Sequence, residues 1–130
     1  MAHILLIDDD RLVREATNVL LRVNGHRATL AADGKSGIEA MGSTKFDLAI
    51  VDLFMPGLDG LKVIEAIRQL RPDMPIIVAS GFMFKGECPP MPNFEPMAKE
   101  AGAVATLYKP FRPDVFLQTI AEALENGPAA

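Results

Sequence analysis

The stretch "DLAIVDLFMPGLDG", residues 47–60, runs an apolar segment straight into a carboxylate, Asp52, and then into Pro56 and Gly57, where the chain must turn. Apolar residues at consecutive positions mark a strand covered on both faces, as in a parallel sheet. Ligands of open parallel sheets bind beyond the carboxyl ends of the strands. A charge that closes such a run therefore belongs to a site at that edge. Further candidate strands are "HILLID" (3–8), "RATLAA" (27–32), "PIIVAS" (75–80) and "VATLYK" (104–109), several of them also apolar at consecutive positions.

Segments of helical period separate these runs. Residues 11–23 place Leu12, Val13, Ala16, Val19, Leu20 and Val23 on one stripe, with Gly25 just beyond as a C-terminal cap. Residues 60–70 repeat the pattern with Val63, Ile64, Ile67 and Leu70, and residues 113–125 with Phe116, Leu117, Ile120 and Leu124. Residues 35–42 form a weaker helix. After the fourth run comes "GFMFKGECPPMPNFEPMAKEAGA", whose prolines leave only about "PMAKEAG" helical, so the fourth helix is expected to be short or displaced. Strict alternation of five strands and five helices, with right-handed crossovers, predicts a three-layer parallel α/β fold.

At 130 residues the chain suits one domain, read as residues 1–126 with a tail at 127–130. A net charge of −4 argues against a nucleic-acid surface, which needs clustered Lys and Arg. The lone Cys88 forms no disulfide framework and suits a reducing compartment. No apolar run approaches the roughly 18 residues of a membrane helix, and no basic leader opens the chain, so a cytoplasmic protein with no membrane partner is expected.

The strand ends gather chemistry. Asp8, Asp9 and Asp10 close the first strand, Asp52 the third, Ser80 the fourth and Lys109 the fifth. Clustered carboxylates repel one another and are tolerated when a cation joins them. Oxygen-only ligands with room for water suit Mg²⁺, and a nearby lysine and hydroxyl suit a phosphoryl group. Taken singly, Asp9 or Asp10 could cap the following helix, and Asp52 could serve a turn. His3 and His26 have no partner at ligand spacing and read as structural or surface residues. "DGKSG" (33–37) is not a phosphate loop, because Thr29 stands where the first glycine is required.

In "ILLIDDD", "DLAIVDLFMPGLDG", "PIIVASG" and "YKPF", in that order, the chain resembles the receiver domain of two-component response regulators. The resemblance implies a flavodoxin-like, doubly wound five-stranded sheet in the order 2-1-3-4-5. It also implies a signalling phosphoacceptor, and not an enzyme, modified by a histidine kinase or a histidine phosphotransfer protein. On that basis Asp52 is the phosphoacceptor, Asp9 and the backbone carbonyl of Phe54 join Asp52 on Mg²⁺, and Asp8 acts through water. Lys109 would pair with the phosphoryl oxygens and Ser80 would move to bond one of them. Two departures stand out: Thr106 occupies the place of the family's switch aromatic, with Tyr108 beside the lysine, and the proline-rich segment rewrites the fourth helix. Phe54 and Phe82, flanking the approach of water, are expected to slow hydrolysis of the acyl phosphate. With no output segment in these residues, action through a downstream protein target is expected. The segment 82–97, with its Phe and Met side chains, would be either that interface or a cover for the core.

Rival readings make specific demands. A haloacid-dehalogenase-type phosphohydrolase wants a second Asp two residues after Asp52, where Phe54 stands. A flavodoxin-like cofactor module wants a glycine-rich loop after the first strand. A degenerate receiver that binds a partner without phosphorylation would not need the five polar site residues.

Overall fold

The computed structural model describes residues 2–52, 60–81, 95–109 and 112–126. Elements alternate along the chain: β1 His3–Ile7, α1 Arg11–Val23, β2 Arg27–Ala31, α2 Gly34–Ser43, β3 Leu48–Asp52, α3 Gly60–Leu70, β4 Ile76–Gly81, α4 Glu95–Ala101, β5 Ala105–Lys109 and α5 Pro113–Asn126. The strands form one parallel sheet in the order β2-β1-β3-β4-β5. The expected doubly wound α/β fold and its strand order are both observed.

Side-chain alternation along the strands splits the core into two layers. Leu5, Ile7, Ala49, Val51, Ile76 and Val78 pack with α3 and Ala98 of α4. Ile4, Leu6, Leu48, Ile50, Ile77 and Ala79 pack on the other face with Leu21 of α1 and with Phe116, Ile120 and Ala123 of α5. All five residues of β3 are buried, as the uninterrupted apolar run implies for the central strand.

The fourth helix is short, seven residues from Glu95 to Ala101. It ends at Gly102, whose φ of 111° favours glycine, and Arg68 of α3 donates from Nη1 to the Ala101 carbonyl at 3.0 Å. α1 ends in the Schellman pattern. The amide of Gly25 (φ 87°) donates to Arg22 O, and that of His26 to Leu21 O.

The stripe expected on α1 is met only in part: Val13 and Leu20 are half-buried, and Leu20 packs on the core. Thr17 and Leu21 are the buried residues, whereas Leu12, Val19 and Val23 are 76%, 60% and 73% exposed and Ala16 is also exposed. The cause lies at the start of the helix. The Asp10 side chain caps the amides of Leu12 and Val13, and Arg14 reaches back to the Asp8 carbonyl at 2.8 Å, so the loop sets the rotation of α1 about its axis. The apolar arc is wider than the sheet can cover, and part of it is left facing solvent. On α3, Leu70 likewise lies outside the buried set, at 53% exposed.

Two glycines of α2 offer a test of packing. A Cβ at Gly37 would overlap Ile7 Cδ1 and Cγ1, whereas a Cβ at Gly42 meets nothing within 4 Å. Gly37→Ala should therefore destabilise by about 1–3 kcal/mol through overpacking. Gly42→Ala should stabilise by about 0.5–1 kcal/mol through helix propensity. Urea unfolding of the two variants measures both signs.

His26 sets a pH dependence. Burial, followed by the positive amino terminus, holds its imidazole below the usual value of 6.5. The unfolded chain thus binds this proton more readily, so the contribution to stability is present above pH 6.5 and is lost as pH falls through the lower, folded value. His26→Gln should lessen the loss of stability between pH 7 and pH 5, read from denaturation midpoints.

Candidate functional site

The register of the sheet brings the polar strand ends to one edge. Ile7 pairs with Val51, so Asp8 lies level with Asp52, and Asp52 itself pairs with Ala79 of β4. Ser80 is one residue beyond that level. Ala79 pairs with Leu107 and Gly81 with Lys109, so Lys109 stands two residues further along β5. One residue of strand advances about 3.3 Å. Ser80, Tyr108 and Lys109 are described by backbone register only. Ser80 is the register partner of Tyr108, and half-buried Thr106 pairs with Val78 one level below Asp52. Phe54, Phe82 and most of the segment 82–97 lie outside the described residues.

Asp8, Asp9 and Asp52 converge, each offering a carboxylate oxygen within 4.8 Å of the others. Asp8 and Asp52 are buried, at 1% and 5% exposure, and Asp9 is open to solvent. Asp8 is held from two directions: its Oδ1 accepts from the Asp10 amide at 2.9 Å, and its carbonyl accepts from Arg14 Nη1. Asp10 faces elsewhere, as the N-cap of α1. The two uses open to the acidic run are thus divided, with Asp10 capping and Asp9 joining the cluster. Arg14 went unrecognised in the sequence. Its signal was position, a cation one turn into α1 and on the side of Thr17 and the sheet.

Three carboxylates that share a small volume, two of them shielded from water, make a hard, all-oxygen donor set. That chemistry fits Mg²⁺, which accepts one or two carboxylates and keeps waters, and the exposed Asp9 side leaves room for them.

The two histidines do not join this edge. The His3 ring lies edge-on to Phe46, with centroids 4.8 Å apart, and its Nε2 is 2.9 Å from Thr29 Oγ1. His26 Nδ1 accepts from the Ala2 amide at 3.4 Å. "DGKSG" serves helix entry and packing: Asp33 Oδ1 accepts from the Ser36 amide at 2.7 Å, which holds the Asp33 carboxyl below its ordinary value, and Gly34 and Gly37 let α2 approach Val63 and Ile7.

Comparison with known protein families matches residues 4–121 to the response regulator receiver domain. The chain belongs to this family. It is 33% identical over 129 residues to the transcriptional regulatory protein FixJ of Bradyrhizobium diazoefficiens, covering 98% of this chain and 60% of that protein. It is 41% identical over 76 residues to the response regulator MprA of Mycolicibacterium vanbaalenii, covering 58% of this chain and 33% of that protein. The chain thus spans between a third and three fifths of the length of these curated relatives. Among solved structures, a CheY-like receiver domain protein from Methanospirillum hungatei superposes with a TM-score of 0.84 at 28% identity, covering 97% of this chain and 95% of that one. The chemotaxis protein CheY4 of Vibrio cholerae gives 0.81 at 27% identity, covering 94% and 98%. Receivers are signalling phosphoacceptors of two-component systems, and Mg²⁺ and phosphoaspartate are typical of them. No helix among the described residues is long and apolar enough to cross a membrane.

The division of labour among the acids can be checked. Asp10→Ala should cost about 1 kcal/mol of stability through loss of the cap while leaving Mg²⁺ affinity unchanged. Asp9→Ala should weaken Mg²⁺ binding with little effect on stability in its absence. Thermal unfolding of both variants with and without Mg²⁺ separates the two roles.

Proposed function

We propose that this receiver accepts a phosphoryl group on Asp52, with Mg²⁺ held by Asp9, Asp52 and the Phe54 carbonyl, and with Asp8 acting through water. The observation that carries this reading is the convergence of Asp8, Asp9 and Asp52 at the carboxyl edge of the sheet. An Asp52 oxygen attacks phosphorus, the bond from phosphorus to the donor breaks, and its electron pair leaves with the donor. Mg²⁺, when bound, supplies charge that offsets the phosphoryl oxygens. Asp52 closes β3 with its carboxylate near those of Asp8 and Asp9, and Asp8 is kept in place by the Asp10 amide. Lys109, at the end of β5, is assigned to pairing with the phosphoryl oxygens, and Ser80 to bonding one of them once transfer is complete. The receiver then signals to a downstream protein through the conformation in which Ser80 is drawn inward.

The donor is a histidine kinase or a histidine phosphotransfer protein. A surface suited to docking it starts at the site itself. Leu12 is two residues from Asp10, and Leu12, Ala16, Val19 and Val23 form an exposed apolar line down α1, about 16 Å long at 1.5 Å per residue. An apolar line of this kind fits the side of a partner helix.

The nucleophile is tested by incubation with acetyl phosphate and Mg²⁺. Asp52→Asn should abolish labelling, and a labelled variant, or an unlabelled wild type, would overturn the assignment. The docking line is tested with Val19→Glu, a change at a solvent-facing position. It should slow transfer from a phosphohistidine protein by about tenfold, or roughly 1.4 kcal/mol in the barrier, and leave labelling by acetyl phosphate unchanged.

A further inference from the structure

Beside α1, the outer edge of the sheet is open. β2 is the terminal strand. The amide of Arg27 donates to the Ala2 carbonyl, and the carbonyl of Ala31 accepts from the Asp8 amide. In a parallel ladder, alternate residues turn both backbone groups toward the same neighbour. Arg27, Thr29 and Ala31 therefore bond β1, while Ala28 and Leu30 aim their N–H and C=O groups outward. Among the described residues nothing pairs with those outward groups.

A groove of about 420 Å³ runs along this edge, lined by Asn18 and Arg22 of α1, the Gly25–His26 turn, and Arg27, Ala28 and Leu30 of β2. Its charge runs against that of the chain. Residues 16–32 contain Arg22, Arg27 and His26 and no acid, in a protein of net charge −4. Arg22 and Arg27 are exposed, and neither side chain has a hydrogen-bond or ion-pair partner among the described residues. His26 is held below its ordinary pKa, so the positive charge comes from the two arginines.

We propose that this groove binds an acidic peptide segment in extended form, adding a strand to the free edge of β2 with its carboxylates paired to Arg22 and Arg27. Two features favour a peptide over a small anion. The lining residues Arg22, Gly25, Arg27 and Leu30 are exposed, whereas small ligands need most of their surface covered. The outward N–H and C=O groups of Ala28 and Leu30 offer alternating donors and acceptors at strand spacing, which an extended chain can pair with and a small anion cannot. The half-buried Ala28 and partly exposed Leu30 give alternate side chains of that segment an apolar floor.

The test is a ¹⁵N NMR titration of the full chain with three probes: a short acetylated peptide alternating Glu with Val and Thr, its Lys counterpart, and inorganic phosphate. The Glu peptide should shift the Ala28 and Leu30 amides and bind about tenfold more tightly than the Lys peptide. Arg22→Glu/Arg27→Glu should reverse that preference, and its spectrum reports whether the fold is kept. Unmoved Ala28 and Leu30 amides, equal binding of the two peptides, or the same shifts with phosphate alone would each overturn the proposal. Acetyl phosphate labelling of the charge-reversed variant should match wild type, so this result stands apart from the assignment of Asp52.

Discussion

Two carboxylates, Asp8 and Asp52, lie side by side with almost no exposure at the ends of adjacent parallel strands, and a third, Asp9, closes on them from the solvent side. Burying like charges together is costly unless positive charge or hydrogen bonds compensate. Much of the surrounding structure meets that demand. The Asp10 amide donates to Asp8, Arg14 fixes the Asp8 carbonyl, and both Asp8 and Asp52 make further interactions. A cation shared by the three carboxylates would relieve the repulsion further, and would couple the state of the site to the strands that carry it.

The same loop dictates how α1 sits. Because Asp10 caps the helix and Arg14 ties its first turn to Asp8, the rotation of α1 is set from the site outward. Its apolar surplus is thereby turned to solvent beside the acidic cluster. An exposed apolar line that starts near the acidic loop and contributes little to the core is better suited to association than to stability. The opposite flank of α1 borders an electropositive sheet edge, so one helix separates two surfaces of different chemistry.

On the sheet face opposite α1, packing constraints are strict. α2 lies against α3 at Gly34 and against β1 at Gly37, where a methyl group would overlap Val63 and Ile7 respectively. α4 is short and is pinned at its C-terminal end by Arg68 and Gly102. A seven-residue helix depends on such end contacts more than a longer helix would.

The sequence by itself determined the strands, because consecutive apolar residues bounded by turn residues admit few alternatives, and the observed limits fall within a residue of those expected. It also placed Asp8, Asp9, Asp52, Ser80 and Lys109 at strand ends, and hence at one edge, since all the strands of a parallel sheet end on the same side. It did not determine which face of α1 is buried. Periodicity reports the direction of apolar surface, not how much of it the sheet can cover, and Thr17 with Leu21 outranked Leu12, Val19 and Val23 only once the Asp10 cap and Arg14 had set the helix rotation. Nor could spacing separate Asp9 from Asp10, because adjacent residues in a loop point wherever the tertiary hydrogen bonds direct them. The role of Arg14 and the open basic groove beside β2 were decided in the same way, by contacts between residues that no local pattern relates.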